Sequence, residues 1–271
     1  MKGFLTIEKA LSEFRTKIEN AIKENGVKGK ESIIRSSIPI NFLHNAVKHA
    51  LINKDIDPNF IFPHINETKP ELNIAGFLKQ KSQDVCIVPQ SIQPKEETIS
   101  RGLLSGKKDR FGIAYTEQTL AINIRSQISS LEKNFDTMYE RTFAEAMNLH
   151  LRCPKMVLGE LYMIAVPEYD IDAIKEKQVV FSTKKINIEK YIKAFNDLNE
   201  RNNHKGNEYK YEKVCLLLVD FQKNKVKIHT SNQSLITAGL ISDNFPIDIR
   251  SMGWNSFVSD LLNIHKNRFK L

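Results

Sequence analysis

Asn123, Arg125 and Gln127 alternate with aliphatic residues in Thr119–Ile128, where Leu120, Ile122, Ile124 and Ile128 fill the other positions. On a strand, successive side chains point to opposite faces, so the three polar groups share one face and the aliphatic ones the other. A guanidinium between two carboxamides suits an anion with two oxygens, because its fork of N–H donors spans both. Asp84 heads a second apolar run, Asp84–Val88. A carboxylate near a fixed cation supplies two parts of a phosphodiester-hydrolysing centre. Carboxylates hold a divalent ion such as Mg2+ through oxygen, and the metal and the cation offset charge on the phosphate and activate water. A solvent-facing edge strand accounts for the same alternation without any chemistry.

The segment after this strand reads as a helix from Leu131 to Leu151. Phe135, Met138, Tyr139, Thr142, Phe143, Ala146 and Leu149 form its buried stripe. Asp136 and Glu140 lie one turn apart beside that stripe, either as solvated acids or facing the polar side of the sheet. Ser129 and Glu132 match a capping box. Ser126, Ser129, Ser130, Lys133 and Asn134 cluster at the mouth of the strand, as groups that contact phosphates or bases do.

The elements that must position these groups follow from periodicity. Ile7, Ala10, Leu11, Phe14, Ile18, Ala21 and Ile22 mark one face of a first helix, which Gly26 and Gly29 are expected to close. A second helix is expected over Asn41–Asn53, and Pro58, Pro63 and Pro70 then break the chain into a loop. Gln90–Thr116 is polar and reads as a long loop, with Gly102, Gly106 and Gly112 in it. Beyond the central helix come a strand at Met156–Val166, a helix at Ile188–Asn199, a hairpin at Val214–Phe221 and Val226–Thr230, and a terminal helix at Trp254–Phe269. The order strand, strand, helix, strand predicts an α/β fold with a central mixed β-sheet flanked by helices. Residues 1–70 form its helical N-terminal region, and 71–271 its core with a C-terminal extension, within one compact domain.

The 271 residues carry 40 Lys and Arg against 32 Asp and Glu, a net charge of +8. That excess favours a polyanionic partner, although a generic lysine-rich surface gives the same number. Residues 173–227 hold 13 basic against 7 acidic side chains. No apolar stretch approaches a membrane span, and no signal-like run opens the chain. Cys86, Cys153 and Cys215 are dispersed, which fits a reducing cytoplasm and indicates neither a disulfide frame nor a structural zinc site. Nucleotide-binding glycine motifs are absent. His150 ends the central helix and is read as structural. Asp220 and Lys223 at a strand end are a weaker second acid–base pair, and Glu160 is either a core carboxylate near the polar face or an outward residue.

The run Ala75-Gly-Phe-Leu-Lys-Gln-Lys-Ser-Gln-Asp84-Val-Cys-Ile-Val88 resembles the entry to the first catalytic strand of PD-(D/E)XK restriction endonucleases, those of the XhoI type above all. Asn123-Ile-Arg125-Ser-Gln127, then Asn134-Phe135, Glu140-Arg-Thr, Ala146-Met-Asn-Leu-His150 and Leu158-Gly-Glu-Leu-Tyr162 continue the likeness over about a third of the chain. There the family carries Glu-x-Lys, where this chain has Asn123-x-Arg125. The resemblance implies a restriction-endonuclease-like core and a type II enzyme that cuts double-stranded DNA with Mg2+. Asp84 and Glu140 are then the metal ligands, Arg125 steadies the scissile phosphate, and Asn123 and Gln127 line the site. In this account Glu140 replaces the missing carboxylate, with Asp136 and Glu145 next in line. In the other account the site has decayed, and the chain is a DNA-recognition subunit of a restriction system. A homodimer or a heteromeric complex is expected in either case. A third reading, outside DNA, is a small-molecule or protein-binding module.

Overall fold

A computed structural model describes residues 5–270. Helix α1 (Ile7–Arg35) and α2 (Ile38–Ile52) form an antiparallel pair that opens the chain. Short strands follow: β1 (Ile61–Phe62), the hairpin β2 (Leu72–Ala75) and β3 (Gln80–Gln83), then β4 (Val85–Ile87). A second small hairpin, β5 (Glu97–Thr98) with β6 (Lys108–Asp109), and helix α3 (Gly112–Gln118) occupy the segment expected to be loop. Next come β7 (Leu120–Gln127), α4 (Leu131–His150), β8 (Val157–Ala165), α5 (Ile171–Lys175), α6 (Ile188–Leu198), β9 (Lys213–Asp220), β10 (Lys227–Ile228), α7 (Asn232–Thr237) and α8 (Trp254–Phe269).

Six strands make the main sheet in the order β1-β4-β7-β8-β9-β10. β4 runs antiparallel to β7, whereas β7, β8 and β9 are mutually parallel. The sheet is therefore mixed, and α4 is the crossover that parallel neighbours require. Every residue of β8 is buried, as expected of a central parallel strand covered on both faces. One face, with Leu120, Ile122, Ile124, Leu161 and Leu217, shares a core with α1, α2 and α8. The other, with Cys86, Ala121, Tyr162 and Leu216, shares a core with α4 and α6. The N-terminal helices are thus one wall of the sheet's own core.

Two local expectations fail for identifiable reasons. Gly26 and Gly29 do not close α1. The helix kinks at Asn25-Gly26, where Gly26 takes φ +56°, and resumes to Arg35. A Cβ on Gly26 would sit 2.8 Å from the Ile174 carbonyl, so glycine here serves backbone contact with α5 as well as the bend. The Ser129/Glu132 capping box does not form either. Ser130 is the N-cap, in the left-handed region at φ 56°, and its side chain caps nothing. The Leu131 N–H donates instead to Glu168 Oε1 at 2.9 Å, a cap delivered from 37 residues away. Two residues on, Asp170 caps α5, its side chain accepting from the Asp172 and Ala173 N–H groups.

Candidate functional site

β7 lies between β4 and β8, and α4 packs over its polar face, leaving Arg125 partly exposed. Arg125 extends from that face into a cluster of ions. Its guanidinium contacts Glu145, lies 3.1 Å from Glu160 Oε1, and donates to Thr142 Oγ1 at 2.7 Å. Lys81 of β3 contacts the other oxygen of Glu145. Arg141 stands 3.5 Å from Glu145 at the exposed rim. The cluster forms the floor of an open cleft of about 500 Å3, whose lining includes Lys81, Asp84, Arg125, Asn134, Arg141 and Glu145.

Helix geometry explains which acids of α4 reach the cluster. Met138, Thr142 and Glu145 recur at the four- and three-residue spacing of one face and are buried. Glu140 is five residues from Glu145, about 140° round a helix of 3.6 residues per turn, and it is exposed. Glu140 therefore stays out of the cluster. Asp136 is also exposed and pairs with Lys190 of α6. The carboxylate that α4 contributes is Glu145.

Asp84 sits at the bend between β3 and β4, and its Oδ2 accepts from the Ile124 N–H at 2.7 Å. It locks β4 to β7 while lining the cleft. Glu160 faces the cluster because it pairs in register with Asn123 across β7 and β8. It is fully buried, and burial raises its carboxyl to about 7 against the pull of Arg125 and Lys81, with Asp84 adding to the rise. Burial, with Arg125 second, lowers the Lys81 ammonium to about 8. His44 of α2 feels the charge of Asp84, yet burial lowers its pKa and favours neutral imidazole.

The remaining polar residues divide. Asn123 is buried beside Glu160, with its Oδ1 unpartnered. Gln127 is structural in its contacts: Tyr162 Oη donates to its Oε1 at 2.9 Å, and its Nε2 donates to the Ser130 carbonyl. Ser126 and Asn134 line the cleft. Ser130, Lys133 and Asn134 are exposed at the turn into α4, with Ser129 half-buried. Lys81 and Arg141 escaped sequence reasoning. Arg141 was readable from its four-residue spacing to Glu145, whereas Lys81 required knowing that β2 and β3 fold into a hairpin.

The residues do not fit the Mg2+ centre that the resemblance implies. Glu140 is absent from the cluster, both oxygens of Glu145 already face Lys81 and Arg125, and Glu160 Oε1 lies against Arg125. Among the described residues, no group of three or more His, Cys, Asp or Glu side chains is arranged to hold a metal ion. The His150 ring is buried between the Glu208 and Met156 carbonyls. Asp220 is buried and caps the turn to Gln222. The three cysteines are buried and free. No helix among the described residues is long and apolar enough to cross a membrane. Comparison with known proteins finds no matching family model, curated protein or solved structure.

Proposed function

We propose that this chain binds duplex DNA through a restriction-endonuclease-like core and serves as a recognition subunit rather than as a Mg2+-dependent nuclease. The observation that carries this reading is the occupation of Glu145 by Arg125 and Lys81, with Glu160 Oε1 paired to the same Arg125. Arginine stays protonated at any working pH, so it neither releases these carboxylates by titration nor acts as a base. The arrangement of β4, β7, α4 and β8, with Asp84 at the first strand and Arg125 on the second, supports the likeness of core. The net charge of +8 and the basic rim of the cleft support an anionic partner.

A type II nuclease is the second reading. Its support is that Glu160 stands in register with Asn123, beside the position where the family carries its acid. For that reading, the pairs with Arg125 and Lys81 must part.

Anisotropy of a labelled duplex between 50 and 200 mM salt tests the binding claim. A protein that neutralises several phosphates loses affinity steeply with salt, log–log slope about −0.9 per contact. A flat response, or no binding at low salt, contradicts DNA recognition.

A further inference from the structure

The cleft beside Arg125 is not the only cationic feature. β7, β8 and β9 run parallel, so the segments that leave them open on the same edge of the sheet. The first carries Ser129, Ser130 and Lys133; the second reaches Lys184 and Lys185; the third bears Lys223, with Lys227 on β10. Between the latter two lies a cleft of about 470 Å3 lined by Lys184, Lys185, Lys223 and Lys227, with hydroxyls from Ser182 and Thr183. Its one carboxylate, Asp220, is buried and accepts the Gln222 N–H at 2.8 Å.

Four exposed ammonium groups therefore face one another with little internal compensation. Lys184 pairs with Glu132, but that pair is exposed at both ends and is easily exchanged for another anion. Lys185, Lys223 and Lys227 have no carboxylate partner among the described residues. Strands in a sheet lie about 4.8 Å apart, so the exits of β7 and β9 are separated by about 10 Å. That span covers roughly three phosphates of one strand of a duplex, which rise about 3.4 Å each along the axis.

We propose that this edge of the sheet is a phosphate-backbone contact for duplex DNA, continuing from the turn at Ser129–Asn134 to the lysine-lined cleft. The proposal rests on the DNA-binding reading and adds where the backbone runs. Lysines suit this role, because point charges on flexible stems hold a backbone in register without reading sequence.

The test compares two doubly substituted proteins of equal charge. K185Q/K227Q removes two ammonium groups from the proposed edge. K155Q/K266Q removes two exposed ones from the opposite end, where Arg268 of α8 binds the Lys155 carbonyl just before β8. All four side chains are exposed, and circular dichroism with Tm checks that both variants fold. The edge variant should lower the salt slope by about 1.8, so its affinity loss between 50 and 200 mM is roughly tenfold smaller than that of the unsubstituted protein. The control should keep the full slope. Equal slopes in the two variants, with the unsubstituted protein binding DNA normally, overturn this placement and leave DNA recognition standing. If the unsubstituted protein fails to bind any duplex, both claims fall together.

Discussion

Replacing Glu160 by glutamine should remove the pH dependence that this one carboxyl imposes on folding. Glu160 is fully buried on β8. The charged and titratable groups that bear on it are Arg125 on β7, Lys81 on β3 and Asp84 at the head of β4. Burial lifts its pKa from 4.5 to about 7. The folded state therefore holds a proton on Glu160 between these values that the unfolded chain releases, so stability is greatest below 4.5 and declines as pH rises through 7. One pKa unit is worth about 1.4 kcal/mol, so between pH 5 and pH 8 the decline amounts to about 2 to 3 kcal/mol. Glutamine keeps the shape and cannot ionise. Whatever the starting difference, set by Arg125 losing one partner and keeping Glu145, the gap should move in the variant's favour by about 2 to 3 kcal/mol over that interval. Urea unfolding of both proteins at pH 5, 6.5 and 8 measures it. A gap that stays constant with pH, or moves the other way, refutes a proton on buried Glu160.

Three further outcomes follow from the same contacts. Arg125→Met should destabilise the fold by about 3 to 5 kcal/mol, because Glu160 loses its ion-pair partner and Glu145 is left with Lys81 and Arg141, and adding Glu160→Gln should recover part of that loss in denaturant titration. Glu212 is buried against His150, Arg201 and Arg268, and hydrogen bonding and charge from His150 and Arg268 hold its carboxyl down at about 2 in spite of burial. Its contribution is present above 4.5 and is lost as pH falls toward 2, so Glu212→Gln should flatten the acid limb of the stability curve by about 3 kcal/mol. Asn148 Oδ1 accepts from the Leu78 and Lys79 N–H groups, and its Nδ2 donates to the Lys79 carbonyl. Asn148→Ala should cost about 1 to 3 kcal/mol and speed proteolysis in the Gly76–Gln80 turn that presents Lys81.

Regular elements were legible where one periodicity dominated. The Trp254–Phe269 helix has the bounds its pattern predicts, and the strand around Arg125 shifts by one residue at each end. The short hairpins at Leu72–Gln83 and Glu97–Asp109 were not legible, because two- to four-residue strands leave no alternation to read. At the site, alternation placed Asn123, Arg125 and Gln127 on one face but could not say what covers it. A polar strand face reads as solvent-exposed unless a roof is known, and the roof is α4. Choosing Glu140 over Glu145 placed the acid beside the apolar stripe rather than within it. Glu145 occupies a core position because Arg125 and Lys81 meet it there, and no local pattern announces a buried ion pair. The cap on Leu131 was hidden for the same reason, since Glu168 arrives from beyond β8.

Incubation of the purified protein with duplex DNA and Mg2+, with binding and strand scission read on one gel, tests the central claim most directly. Retarded but intact duplex, unchanged on addition of Mg2+ and equally intact with Asp84→Ala, is the result predicted for a core whose carboxylates are held by Arg125 and Lys81. Mg2+-dependent cuts at defined positions that vanish in Asp84→Ala would contradict it, and would show that this ionic cluster opens to admit a metal.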